Sequence, residues 1–134
     1  MPLDLNVRIL LVDDMPAVRN LVRAMLEEAG FTKIEEAEDG ETAWLMVQRS
    51  TSAARGPFGL IIADWNMPGM SGADLLRAVR SSNATRDMAF FIITAQGDDS
   101  HVREAIQAGV TDYVVKPFTG EQLLEKIQAY YLGA

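Results

Sequence analysis

The chain has 134 residues, with 12 basic and 19 acidic side chains and a formal net charge of −7. That is one domain's worth of chain, and 49% apolar with 23% charged residues is ordinary globular usage, so it can bury a core without a staple. The absence of cysteine excludes a disulfide scaffold, a thiol nucleophile and a zinc–thiolate site, and the acidic balance disfavours a stand-alone nucleic-acid binder.

The longest strictly apolar run, residues 88–93, falls far short of the ~20 residues that cross a bilayer, and the opening MPLDLN lacks a basic-then-apolar signal. A cytoplasmic monomer is expected, with proteins or a cation as partners. Residues 7–12 (VRILLV) read as a strand covered on both faces. Beyond Asp13-Asp14-Met15-Pro16, the apolar residues Val18, Leu21, Val22, Met25 and Leu26 repeat at helical spacing, and Gly30 stops the helix. A weaker strand at 33–37 carries two adjacent glutamates and suits a sheet edge. There follow a helix near 41–48, a small polar loop at 50–57, a strand at 59–63 and a helix near 73–80. A strand at 89–93, a helix near 100–108, a strand at 112–115 and a closing helix near 121–131 complete the chain. Five strand–helix units require parallel strands joined by right-handed crossovers, with helices on both faces of one sheet. No linker, repeat or second domain interrupts residues 1–134, so output would have to come from a surface shared with another protein.

In an open parallel sheet, ligands bind beyond the carboxyl ends of the strands, where the strand order reverses. The first strand ends in Asp13-Asp14, the third in Asp64, the fourth in Thr94 and the fifth in Lys116-Pro117. The second offers only Glu38-Asp39-Gly40, which looks like a helix start. Three carboxylates on one rim raise one another's pKa unless a cation compensates them. Mg²⁺ meets that need, since it takes hard oxygen ligands and is held by one or two carboxylates plus a phosphate oxygen. Asp13 and Asp14 then serve as metal ligands and Asp64 as a carboxylate nucleophile toward phosphorus. Lys116 would neutralise phosphoryl oxygens and Thr94 would donate its hydroxyl to them.

Each residue also has a plainer reading. Asp at a strand-to-helix junction is commonly an N-cap, Thr in a strand is a β-former, and a lone lysine is usually a surface charge. Asp64 is harder to dismiss, because an unpaired acid at the mouth of the buried LIIA strand is costly. Five such signals after four different strands reinforce one another.

The stretches ILLVDD (9–14), IIADWNMPGMSG (61–72), FIITA (91–95) and YVVKPFT (113–119) make the chain resemble the receiver domain of two-component response regulators over nearly all its length. The DWNMP and YVVKPFT stretches look most like the single-domain chemotaxis members. The resemblance implies a flavodoxin-like (βα)5 doubly wound sheet with strand order 2-1-3-4-5. It also implies that Asp64 is the phosphoacceptor, that Asp13, Asp14, Asp64 and the backbone carbonyl of Asn66 form the Mg²⁺ site, and that Thr94 and Lys116 contact the phosphoryl group. Ala95 is small where that group must be reached. Asn66 and Gln96 occupy the positions that tune its lifetime.

A phosphoryl group carries about −1.5 to −2 of charge. In this family Thr94 would move toward it and Tyr113 would turn inward into the vacated space. Val102, Tyr113 and Lys126 would form the partner surface. The expected partners are a histidine kinase or phosphotransfer protein and a phosphorylation-dependent target, such as a flagellar motor switch protein or a phosphatase. Arg19 and Arg23 either help dock the phosphodonor or form a solvated helix face. His101, the only histidine, is expected at the surface near a helix start. Met15 beside the acid pair and the long 50–57 loop depart from the chemotaxis pattern. The alternatives are a phosphorelay intermediate or phosphate sink outside chemotaxis and, more distantly, a phosphatase of the haloacid dehalogenase type. That enzyme class would need a D-x-D after the first strand, which Asp13-Asp14-Met15 lacks. A dinucleotide-binding domain would need a Gly-rich turn there.

Overall fold

The computed structural model describes residues 4–95 and 99–132. Five strands and five helices alternate: β1 (Ile9–Val12), α1 (Pro16–Glu28), β2 (Ile34–Ala37), α2 (Gly40–Ser50), β3 (Leu60–Asp64), α3 (Gly72–Ser81), β4 (Ala89–Ala95), α4 (Asp99–Gln107), β5 (Asp112–Lys116) and α5 (Gly120–Leu132). All pairings are parallel and the sheet runs β2-β1-β3-β4-β5, as the crossover argument and the family resemblance require.

The period-2 alternation of strands divides the core in two. Leu10, Val12, Ile61, Ala63, Phe90 and Ile92 face α2, α3 and α4, where they meet Ala43, Val47, Leu75, Leu76, Val79 and Ala105. Ile9, Leu11, Leu60, Ile62, Phe91 and Ile93 face the other way, onto Val22 and Leu26 of α1 and Leu123 and Ile127 of α5. Nearly every residue of β1, β3 and β4 is buried, which is why these strands read as unbroken apolar runs. A large aliphatic side chain buried this way contributes about 1.5–3 kcal/mol.

Three details differ from the sequence reading. β3 and β4 extend through Asp64 and Ala95, because the ladder continues wherever a neighbour supplies a partner: Asp64 lies opposite Ile93, Thr94 opposite Val115 and Ala95 opposite Lys116. In α1, Leu21 is 57% exposed although it fits the apolar spacing. It lies one residue, or about 100° of helical rotation, from buried Val22, at the margin of the stripe that the sheet and α5 cover. The glutamates of edge strand β2 are also matched by cations. Glu35 pairs with Arg8, and Glu36 with Arg19 at 3.0 Å and Arg23 at 2.9 Å.

Candidate functional site

β1 and β3 are neighbours, with Val12 opposite Ala63, so Asp13 and Asp64 follow each other across the ladder and Asp14 stands beside them. Oxygens of the three carboxylates lie within 4.8 Å of one another. Asp13 and Asp64 are buried, at 4% and 7% exposure, while Asp14 is exposed. The capping reading of the acid pair does not hold: the N-cap of α1 is Met15, whose side chain makes no capping bond, and Pro16 opens the helix without needing a donor. The Met15 amide instead donates to Asp13 Oδ1 at 2.9 Å, leaving buried Oδ2 without a hydrogen bond. Burial pushes the Asp13 carboxyl up from 3.8 to about 6; the Met15 amide and Lys116 oppose the rise, and Asp64 and Asp14 add to it.

Lys116, the last residue of β5, reaches across β4 to place Nζ 2.9 Å from Asp64 Oδ1. Thr94 lies one residue beyond Ile93, the partner of Asp64 on the ladder; it is 2% exposed and its Oγ1 has no hydrogen-bond partner. A buried polar atom left unpaired costs about 1–3 kcal/mol. Two of them, Asp13 Oδ2 and Thr94 Oγ1, belong to the ends of β1 and β4, the strands on either side of β3. Three clustered carboxylates with an unsatisfied buried oxygen fit a hard divalent cation such as Mg²⁺.

The strap beyond Asp64 is tightly held. The Trp65 amide donates to the Ile93 carbonyl at 2.9 Å, and the Gly72 amide donates to the Trp65 carbonyl at 3.0 Å. A Cβ on Gly72 would lie 2.4 Å from the Asp64 carbonyl oxygen, so α3 can begin against the back of the site only with glycine at its first position. Sequence reasoning missed this role. Its one signal was a glycine where a helix start favours a better helix former. Ser71 and Asp74 complete the start with a reciprocal capping box.

The remaining candidates are distributed around this centre. Asn66 follows Trp65 in the loop after β3, with its side chain exposed. Tyr113 is half-buried on β5, opposite Ile92 and three residues before Lys116. Lys126 Nζ lies 4.8 Å from the Tyr113 ring centroid and 3.1 Å from Asp112 Oδ1, so two residues expected separately on the partner surface touch each other. Val102 is half-buried on α4. Arg19 and Arg23 are tied to neighbouring elements rather than forming a purely solvated face. Both bind Glu36, and Arg19 also donates to the Asp13 carbonyl, bracing the rim from α1. His101, expected at the surface, is half-buried and stacks on Trp65 with ring centroids 4.3 Å apart and planes 13° from parallel. Gln96 lies outside the described residues.

Comparison with known proteins agrees with this geometry. Residues 9–128 match the family model of the response regulator receiver domain. The chain is 43% identical to the chemotaxis protein CheY of Pseudomonas aeruginosa over 124 residues, covering 92% of this chain and 95% of that protein. It is 40% identical to CheY-3 of Vibrio cholerae over 129 residues, covering 96% and 95%. Among solved structures, Vibrio cholerae CheY4 superposes with a TM-score of 0.79 at 32% identity, covering 92% of this chain and 97% of that one. The receiver domain of a sensor histidine kinase from Pseudomonas aeruginosa, with a magnesium ion coordinated in its active-site cleft, superposes with a TM-score of 0.81 at 26% identity, covering 96% and 99%. The chain therefore belongs to the response regulator receiver domain family, in its CheY-type branch.

Proposed function

We propose that the protein is a phosphorylation-controlled switch in which Asp64 accepts a phosphoryl group from a histidine kinase, a phosphotransfer protein or a small phosphodonor. The observation that carries this reading is the surround of Asp64: Lys116 Nζ at 2.9 Å, with two buried oxygens, Thr94 Oγ1 and Asp13 Oδ2, lacking partners. Asp13, Asp14, Asp64 and the carbonyl of Asn66 would hold Mg²⁺, whose charge offsets that of the incoming phosphoryl oxygens. An Asp64 oxygen attacks phosphorus as the bond to the donor breaks, and the donor atom leaves with its electron pair. Lys116 and Thr94 supply an ammonium and a hydroxyl to the transferred group. Hydrolysis of the acyl phosphate later returns the carboxylate, so the protein is a self-resetting phosphoacceptor rather than an enzyme acting on a separate substrate.

Output follows from partner exchange at Val102, Tyr113 and Lys126. Thr94 moves toward the phosphoryl group and Tyr113 turns inward, a shift between two pre-existing arrangements. The names of the CheY relatives favour chemotaxis, with a flagellar motor switch protein or a phosphatase as target. The likeness to a receiver of a sensor kinase favours a second reading, as a phosphorelay intermediate or phosphate sink. The test is labelling with acetyl phosphate or phosphoramidate, read by intact mass. One phosphoryl group per chain is expected in Mg²⁺, none in chelator and none in Asp64→Asn. Mg²⁺-independent labelling retained by that variant would overturn the assignment. A pull-down comparing the two states separates the pathways: a motor protein in the phosphorylated fraction supports chemotaxis, and a kinase or phosphotransfer protein alone supports a relay.

A further inference from the structure

The end of the sheet opposite the carboxylate rim carries the reverse charge. Arg8 precedes β1, Lys33 precedes β2, Arg49 is in the last turn of α2, and Arg55 stands in the loop that follows. With Glu35 they line two adjoining hollows of about 160 and 380 Å³. Arg8 is held in place by Glu35, the Gly56 carbonyl and the Phe58 ring. Arg55, with a side chain 74% exposed, approaches Glu35 only to 3.9 Å, and among the described residues Lys33 and Arg49 have no ion pair. One carboxylate therefore faces four cations on a chain whose net charge is −7. Screening over about 8–10 Å makes a ligand in these hollows feel that local excess rather than the distant acids.

The same place has an open sheet edge. β2 pairs only with β1, and the carbonyls of Lys33 and Ala37 accept from Ile9 and Asp13. Alternation along the strand turns the N–H and C=O of Ile34 and Glu36 outward, away from any neighbouring strand. Ile34 also lines the larger hollow.

We infer that this edge is a docking surface for an extended acidic segment of a partner protein, which adds to β2 as a further strand and seats its carboxylates against Lys33, Arg49 and Arg55. Main-chain pairing to Ile34 and Glu36 supplies the contact that a free anion cannot make, and the cations select the sign of the side chains. A long polyanion is disfavoured because it would run from the hollows onto the acidic remainder of the surface. The long 50–57 loop thereby acquires a role: anchored through Gly56 on Arg8, it carries Arg55 to the strand edge. The surface lies at the far end of the strands from Asp64 and does not depend on the phosphoacceptor reading.

The test is amide chemical-shift titration of the ¹⁵N-labelled chain with a short blocked peptide alternating Glu and Val, its Gln counterpart, and sodium sulfate. Saturable shifts at the Ile34 and Glu36 amides with the acidic peptide alone are expected. They should weaken about tenfold in Lys33→Glu/Arg55→Glu, whose two sites are exposed, and persist in Asp64→Asn. The inference is overturned if the peptide does not bind, if sulfate or the Gln peptide produces the same shifts, or if the shifts fall only on the carboxylate rim. It is equally overturned if the edge amides shift with protein concentration alone, which would assign the edge to a second copy of the chain.

Discussion

Asp13 is a carboxylate whose ionised form burial penalises, and Asp13→Asn tests this with little change of shape, since an Asn Oδ1 can still accept from the Met15 amide. Burial raises the carboxyl from 3.8 to about 6, which makes holding it ionised cost about 3 kcal/mol. The native state binds this proton more tightly than the unfolded state does. Its contribution to stability is therefore complete below pH ~4, is lost as pH rises through ~6, and is absent at pH 8. Urea unfolding at pH 8 in chelator should show Asp13→Asn more stable than the parent by up to about 3 kcal/mol, and the gap should close toward pH 4. Because the other titrating groups are common to both proteins, the difference between them isolates Asp13. Saturating Mg²⁺ should restore the parent, by about 2.7 kcal/mol at a hundredfold excess over Kd, and should do little for the variant. A variant no more stable than the parent at pH 8 in chelator, or a gap that does not change with pH, would refute the reasoning.

Two further substitutions probe packing. Gly72→Ala places a methyl 2.4 Å from the Asp64 carbonyl and should cost about 1–3 kcal/mol in urea unfolding; its phosphoryl labelling should fall more than that of a surface control such as Glu28→Ala. In α1, Leu26→Ala should cost about 2–5 kcal/mol and Leu21→Ala under about 0.5 kcal/mol by the same measurement, since only Leu26 is enclosed. Equal losses at the two positions would show that the exposed side of α1 is not where the structure puts it.

The rim was legible because every residue on it follows or ends a strand, and strands buried on both faces announce themselves as apolar runs. Asp13, Asp14, Asp64, Thr94 and Lys116 could thus be gathered to one edge by counting, before any contact was known. What counting could not reach depends on elements distant in the chain. The need for glycine at 72 exists only because α3 starts against the Asp64 carbonyl. The stack of His101 on Trp65 joins α4 to the loop after β3, and no spacing within either segment encodes it. The exposure of Leu21 is set by where the covering of α1 ends, so a correct helical period still misplaced one residue. Arg19 and Arg23 looked like an exposed pair because their acceptor, Glu36, belongs to another element, the edge strand β2.

β5 links the carboxylate site to the proposed partner surface. Lys116 ends this strand on Asp64, and Tyr113 sits three residues earlier, so the cation that a phosphoryl group would draw upon and the aromatic expected to move share one short backbone segment. β5 is the outer strand of the sheet, and alternation sends Asp112 toward the α5 face and Tyr113 toward the α4 face. Lys126 closes over that edge, its ammonium 3.1 Å from Asp112 Oδ1 and 4.8 Å from the Tyr113 ring centroid. A cation–π contact at a half-exposed site is worth about 0.5–1 kcal/mol, and an ion pair of this exposure contributes about as little. Lys126 therefore biases Tyr113 toward its present position without locking it. The net gain of about one negative charge when an acyl phosphate replaces the Asp64 carboxylate, as proposed, would have only that small bias to overcome.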